Sequence, residues 1–464
     1  MSELDTLRND FERLAKQNGL LAEENERLIE ENRLLKLQIE EFKQKFYKKN
    51  AGQPEDDDPP CPPPKKRGAP NGHPGKTRPV PDHFDEHVDV NLSECPDCGG
   101  HNLNPCNRHE DHYQEDIILP QVKVTRFRHH FYWCRNCHQV VYGAGDGELP
   151  GSYIGPVAKS LASFLHYQMK LPYRKIRLLF RDLFHLTFTP SAALGFDGQI
   201  RCRGDPLYEK MRQSLPAQRF VHADETGWRN EGVNHWLWCF IAPGYVLYRI
   251  DRSRGGKVVT AVLGQRYAGT LISDFLASYN RIRCRKQRCL VHLLRLIKKW
   301  LIYFADDRPR RKYFENLKTL VKSILRLSAQ YASRRPKHFV VRKADLVARL
   351  RRALNLRLDH PRADKFIRKL AAKRNQLVAC LDSPEVCAHN NIAERLLRDN
   401  VIMRKITFGN RSFRGNGQRN HEILMSLIQT ARMQNLNPLH FLHTLLTQPA
   451  AAAADLQPAL TSGR

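Results

Sequence analysis

From Leu4 to Phe46 an apolar residue, or an asparagine in its place, returns with a seven-residue period. Leu7, Leu14, Leu21, Leu28, Leu35 and Phe42 take one position of the repeat. Leu4, Phe11, Asn18, Asn25, Asn32, Ile39 and Phe46 take the other. Glu, Arg, Lys and Gln fill most places between them, without a proline. Such a repeat makes helices supercoil, and asparagine in the seam fixes register at a cost in stability. The pattern predicts a self-associating coiled coil over residues 1–50; the alternative is a long amphipathic helix packed on its own protein.

Further along, "VAKSLASFLHYQMK" and "YRKIRLLFRDLFHL" repeat apolar residues at helical spacing, and Pro190 and Ser191 open another helix. Residues 150–216 therefore read as helical, suited either to a helix-turn-helix-like DNA-binding unit or to ordinary packing. From residue 219 the pattern changes. "RFVHAD" predicts a strand ending at Asp224, "HWLWCFI" and "YVLYRI" two more, and "GGKVVTAVLG" a helix. "AGTLISDF" predicts a strand ending at Asp274, and "CLVHLLRLIKKWL" a short strand passing into a helix. Three strands followed by alternating helix and strand imply a mixed α/β sheet. Residues 296–384 read as a basic all-α block interrupting it, 421–448 as C-terminal helix and 449–464 as a disordered tail. In "NNIAERLLRDN", Ile392, Ala393, Leu396 and Leu397 share the buried helical face, with Glu394 on its flank. Asn391 and Glu394 have the spacing of a capping box.

Charge adds a partner. Lys and Arg number 76 against 48 Asp and Glu, a net charge of +28. Such a balance suits a polyanion, nucleic acid first. No apolar run is long enough to span a membrane, and the polar start "MSELDTLRND" is unlike a signal peptide, so a cytoplasmic protein is expected. Residues 51–90 form a Pro/Gly-rich linker in which "PEDDDPPCPPP" gives way to "KKRGAPNGHPGKTR". There Lys65, Lys66 and Arg67 are candidates for phosphate or minor-groove contacts, against the plainer reading of a solvated linker.

Four of the twelve cysteines form two C-x-x-C pairs within residues 91–145, Cys95 with Cys98 and Cys134 with Cys137. Joined by the strand-like stretch "YQEDIILPQVKVTRFRHHFYW", they predict a zinc ribbon with four thiolates around a structural Zn²⁺. Cys106, His101 and His138 are possible substitutes. Asp224, Asp274 and Glu394 have a different use: carboxylates converging in a basic protein suit Mg²⁺ and in-line displacement at phosphorus. Alone that triple is weakly specific, because many triples can be drawn from 48 acids.

"HADETGWR", "LISDF", "CLVHLLRLIKKW" and the long block "NNIAERLLRDNVIMRKITFGNRSFRGNGQRNHEILMSLIQTARMQNLNPLHFL" resemble the transposases of the insertion sequence sixty-six family. The order of zipper, basic linker, C-x-x-C module and core is also similar to theirs. The resemblance implies a multidomain protein with a ribonuclease-H-like catalytic core (217–295 and 385–420) carrying an all-α insertion. It implies a D–D–E triad of Asp224, Asp274 and Glu394 binding Mg²⁺ or Mn²⁺, with Glu225 shaping the turn after Asp224. Cys289 and His292 match the family's C-x-x-H segment, as site residues or as a packed pair. Arg395, Arg398, Arg404 and Lys405 are expected to hold DNA backbone. Terminal-repeat and target DNA, a second copy through the zipper, small accessory proteins of the same element and a place at the bacterial nucleoid are the implied partners and setting. A zinc-ribbon regulator with an inactive core, and a structure-selective nuclease, are the rival readings.

Overall fold

The computed structural model describes residues 3–47, parts of 83–101, and 122–461 apart from 150, 332–335 and 412–415. Residues 1–46 with 122–464 make one compact unit and 47–121 a second. The first opens with α1 (Glu3–Tyr47), the long helix predicted from the heptads. It packs on the chain's own helices through Leu34 and Leu37, while Phe11, Leu14, Leu21, Leu28, Leu35 and Ile39 of the heptad seam are exposed. The packing of Leu34 and Leu37 matches the reading of a long amphipathic helix set on its own protein.

A small hairpin follows, β1 (Tyr132–Cys134) against β2 (Gln139–Val141). The longer strands expected before it are not seen among the described residues: 122–131 belong to no strand or helix, and 102–121 lie outside the described residues. The three expected helices are present as α2 (Pro156–Tyr167), α3 (Tyr173–Phe184) and α4 (Pro190–Ser214). Thr189 caps α4 by accepting the Ala192 N–H at 3.1 Å, with Pro190 in the first turn where its missing donor costs nothing.

The central sheet contains β3 (Phe220–Asn230), β4 (Val233–Ala242), β5 (Tyr245–Asp251), β6 (Arg266–Ser273) and β7 (Arg283–Arg288), with α5 (Gly256–Leu263) between β5 and β6. Its order is β5-β4-β3-β6-β7. The first three strands form an antiparallel meander, and β3, β6 and β7 run parallel. Glu231 and Gly232, both with positive φ, make the two-residue turn between β3 and β4, the geometry that matches strand twist.

Two expectations need correction. β3 does not end at Asp224 but runs six residues further, because β4 folds back along it as far as Asn230. The last strand is not the apolar "CLVH" but the basic "RCRKQR" before it, an edge strand whose charges discourage further pairing.

The helical block comprises α6 (Leu290–Tyr303), α7 (Arg308–Ala329), α8 (Pro336–Leu354) and α9 (Pro361–Ala371), around a separate core that includes Ile297, Phe304, Phe314, Leu346 and Ile367. The chain then returns to the sheet as α10 (Asn391–Thr407) and α11 (Asn416–Met433), followed by α12 (Pro438–Thr447). The supposed disordered tail forms α13 (Pro449–Thr461), with Ala452 and Leu456 buried in the main core. Its alanine-rich sequence favours helix, and those two side chains give it a face to bury.

α11 solves the problem of the β5 edge. The N–H groups of Val246, Tyr248 and Ile250 donate to Thr430 Oγ1, Ser426 Oγ and Glu422 Oε1 at 3.1, 2.8 and 2.7 Å. Alternate residues of a strand edge are thereby matched by one residue per helical turn, and buried donors that would otherwise be orphaned are satisfied.

Candidate active site

Parallel pairing of β3 with β6 ends at His222 opposite Ile272. Asp224 and Asp274 each lie two residues further on. The two acids therefore lie at matching positions along neighbouring parallel segments, and the charge of Asp274 reaches the Asp224 carboxyl. Asp274 Oδ1 accepts the Leu276 N–H at 2.8 Å, which turns the chain at the end of β6.

The third acid arrives on α10, which packs against β3. Asn390, the buried residue before that helix, fastens it: Nδ2 donates to the Ala223 carbonyl at 2.9 Å, and the His222 ring pairs with Oδ1 at 2.9 Å. The Cys289 N–H donates to the Ser273 carbonyl at 2.8 Å, and its sulfur accepts the Asn390 N–H at 3.2 Å. The backbones bearing all three acids are thus connected through two buried side chains. The capping-box reading fails, since neither Asn390 nor Asn391 provides a side-chain cap and Glu394 faces elsewhere. That the buried helix face holds Ala393 and Leu397, with Ile392 and Leu396 half-buried beside them, agrees with the periodicity.

Arg288, wholly buried at the end of β7, steadies the same corner. It donates to Ser273 Oγ at 3.1 Å, the Asp274 carbonyl at 2.7 Å and Gln376 Oε1 at 2.9 Å in the helical block. Nothing distinguishes it from its neighbours in a basic run, so sequence reasoning passes over it.

Burial, and then the charges of Glu225, Asp274 and Glu394, push the Asp224 carboxyl up to about 7. Three acids act on Asp224 at once, the electrostatic mark of a site short of positive charge. Glu225 does not shape a turn. Within the strand, it takes Arg254 Nη2 and Nε on Oε1 at 2.9 and 3.1 Å and the Tyr279 hydroxyl on Oε2 at 2.6 Å. Its partners occupy both oxygens.

Glu394 is held differently. Arg295 forks it with Nη1 at 3.0 Å and Nη2 at 3.1 Å, and His292 Nε2 stands 3.5 Å away. Burial works to raise this carboxyl, but the Arg295 hydrogen bonds and the charges of Arg295, His292 and Arg398 outweigh it and leave it below the usual value. The His292 Nδ1 is buried without a partner. Oxygen donors suit a hard divalent ion, yet among the described residues no three His, Cys, Asp or Glu side chains gather closely enough to hold one. The backbone brings the acids together, whereas the Glu394 side chain is turned to Arg295.

Of the predicted DNA contacts, Arg395, Arg398 and Lys405 are exposed on α10. Arg404 is half-buried and donates to the Gly227 carbonyl, so it clamps helix to strand. Lys65, Lys66 and Arg67 lie outside the described residues, as do Cys95, Cys98 and Cys106. Cys134 ends β1 and Cys137 sits in the turn after it. The backbone N–H of Cys137, then that of Asn136, holds the Cys134 thiol below its ordinary value, which favours the thiolate that metals require.

No helix among the described residues is long and apolar enough to cross a membrane. A family model described as "Transposase IS66 family" matches residues 151–417, and one described as the zinc-finger binding domain of transposase IS66 matches residues 93–138. An uncharacterised protein of Sinorhizobium fredii (strain NBRC 101917 / NGR234), y4jO, is 30% identical over 108 residues. That stretch covers 23% of this chain and 33% of the relative, so the chain spans about a third of the relative's length.

Proposed function

Because the chain belongs to the IS66 transposase family, we propose that it cuts DNA at the ends of an insertion sequence and joins those ends to target DNA. The observation that supports this reading is that the charges of Asp274 and Glu394 both act on Asp224, the acid on the central strand of a sheet ordered β5-β4-β3-β6-β7, in a chain of net charge +28. The meander followed by two parallel strands supports a ribonuclease-H-like assignment.

In this reading the three carboxylates hold Mg²⁺ or Mn²⁺, which supplies charge to the attacking and the leaving oxygen of an in-line displacement. Asp224 would serve this from β3 and Asp274 from the end of its parallel neighbour β6, and Glu394 would join them on leaving Arg295. Asn390 and Cys289 keep the acid-bearing segments in place, and Arg395, Arg398 and Lys405 bind DNA phosphates. Water breaks the P–O3′ bond at the element end, and the freed 3′ oxygen then displaces a 3′ oxygen in the target. Cys95, Cys98, Cys134 and Cys137 hold structural zinc, as their spacing and the zinc-finger match support. The zipper pairs protomers so that two ends can be held together, at the nucleoid where the DNA lies.

The alternative, a DNA-binding regulator with an idle core, draws support from the fork of Arg295 on Glu394. Incubating the protein with Mg²⁺ and DNA carrying the element's ends, beside Asp224→Asn, separates the two. End cleavage and joined product with the unchanged protein, lost by at least about a thousandfold in the variant with DNA binding kept, is the expected result. Binding without cleavage by either protein, also with the element's small proteins added, would leave the regulator. Cutting without joining, indifferent to the end sequence, would indicate a nuclease.

A further inference from the structure

The two sides of α1 have different fates. Taking Asn18, Asn25 and Asn32 as one seam position and Leu14, Leu21, Leu28 and Leu35 as the other, Glu30, Arg33, Leu34 and Leu37 fall on the opposite side of the helix. That opposite side is docked. Glu30 pairs with Arg362 of α9 at 2.7 Å and accepts a hydrogen bond from the Tyr303 hydroxyl of α6. The Arg33 guanidinium lies 5.4 and 5.5 Å from the ring centres of Tyr303 and Phe304, and 3.8 Å from Asp307. Leu34 and Leu37 pack on the aromatic core of the helical block, and Lys36 reaches Asp306 at 2.7 Å. The seam, by contrast, is bare: Phe11 is 74% exposed, and the four leucines 44–56%.

We propose that α1 is a strut gripped on both sides: by a second copy of the chain along the Leu/Asn seam, and by α6 and α9 on the outer face. Self-association then fixes where each sheet-bearing unit stands about the shared axis, because the pairing helix is clamped to the block that also reaches the Asp274 corner through Gln376 and Arg288. A second copy is the occupant the seam fits. Its asparagines are spaced to face their own equivalents, and its apolar residues continue a strict heptad into the docked turns. The two grips use different residues, so they are separable. This inference rests on the self-association in the proposed function, but not on DNA cleavage.

The test combines light scattering with hydrogen exchange on the full-length protein. The unchanged chain is expected at twice its 53.8 kDa mass, with amides of residues 28–38 and 300–307 protected. Leu14→Glu with Leu21→Glu should fall to the single mass and keep that protection. Leu34→Asp with Leu37→Asp should keep the double mass while both segments exchange at least about tenfold faster. Arg362→Glu should weaken protection in the same way, and adding Glu30→Arg should restore it. A single mass for the unchanged chain overturns the second-copy grip. Unchanged exchange in the Leu34/Leu37 variant, or its collapse to the single mass, overturns the separate dock.

Discussion

Asn390 shows how much of the site depends on one uncharged side chain. It is buried and gives one hydrogen bond to Ala223 while taking another from His222, the residues just before Asp224. Asn390→Ala would leave two buried partners unsatisfied, which should cost about 2–4 kcal/mol of stability by denaturant titration. Cleavage should fall with it, since α10 loses its tie to β3; unchanged stability would show that the neighbouring backbone bonds suffice. Arg295 works in the opposite direction. If its fork holds Glu394 away from the other acids, Arg295→Ala should tighten Mn²⁺ binding to the DNA-free protein about tenfold, the effect of one charge-assisted hydrogen bond. An unchanged titration would mean the fork and the ion do not compete. The three acids stood out in the sequence as candidates because each sits in a stretch that resembles a family motif. Asn390, Arg288 and Arg295 were not, because their roles depend on partners far away in the chain, and an arginine in a basic segment carries no mark of burial.

Among the elements, α2, α3 and α4 meet at Asp197, whose carboxylate is wholly buried and accepts hydrogen bonds from Ser163 on α2 and Tyr173 on α3. Burial, only partly offset by these hydrogen bonds, pushes the carboxyl up to about 7. Between its ordinary value and about 7 the folded protein therefore keeps a proton that the unfolded chain has released. Stability is lost as pH rises through that window, by roughly 1.4 kcal/mol for each pH unit. Asp197→Asn cannot titrate, so its stability relative to the unchanged protein should improve from pH 5 to pH 7 and then level off. Parallel denaturation curves at pH 5, 6, 7 and 8 measure this, and a constant difference across them would refute it. These helices were legible because their apolar spacing is undiluted. The length of β3 was hidden because the polar residues after Asp224 lack an alternating pattern, and pairing with β4 rather than hydrophobicity extends the strand. β7 was hidden for a related reason: as an edge strand in a basic protein it carries the charges that a sequence reader assigns to a loop.

At the scale of the whole molecule, the excess of positive charge would dominate the proposed encounter with DNA, while the catalytic reading needs a local cluster of negative charge. These demands coexist because Asp224 is drawn into the sheet, where burial and the charges of neighbouring acids raise it, while bases such as Arg395, Arg398 and Lys405 stay outside on a helix surface. On α10 this division is visible within one helix: Glu394 is half-buried and paired with Arg295, whereas Arg395, Arg398 and Lys405 face solvent. If those three bind phosphates, each releases counterions, and removing one should lower the slope of log affinity against log salt by about 0.9 on duplex DNA. Arg395→Ala, Arg398→Ala and Lys405→Ala should therefore weaken binding to element ends and to unrelated duplex equally, with the triple variant flattening the slope by about 3. Arg404→Ala should behave otherwise. Its guanidinium is engaged with the Gly227 carbonyl, so the variant should lose stability and leave the slope unchanged. Anisotropy titrations from low to moderate KCl distinguish the cases. A slope that stays constant in the triple variant would remove α10 from the DNA-binding surface and direct attention to the basic segment around Lys65.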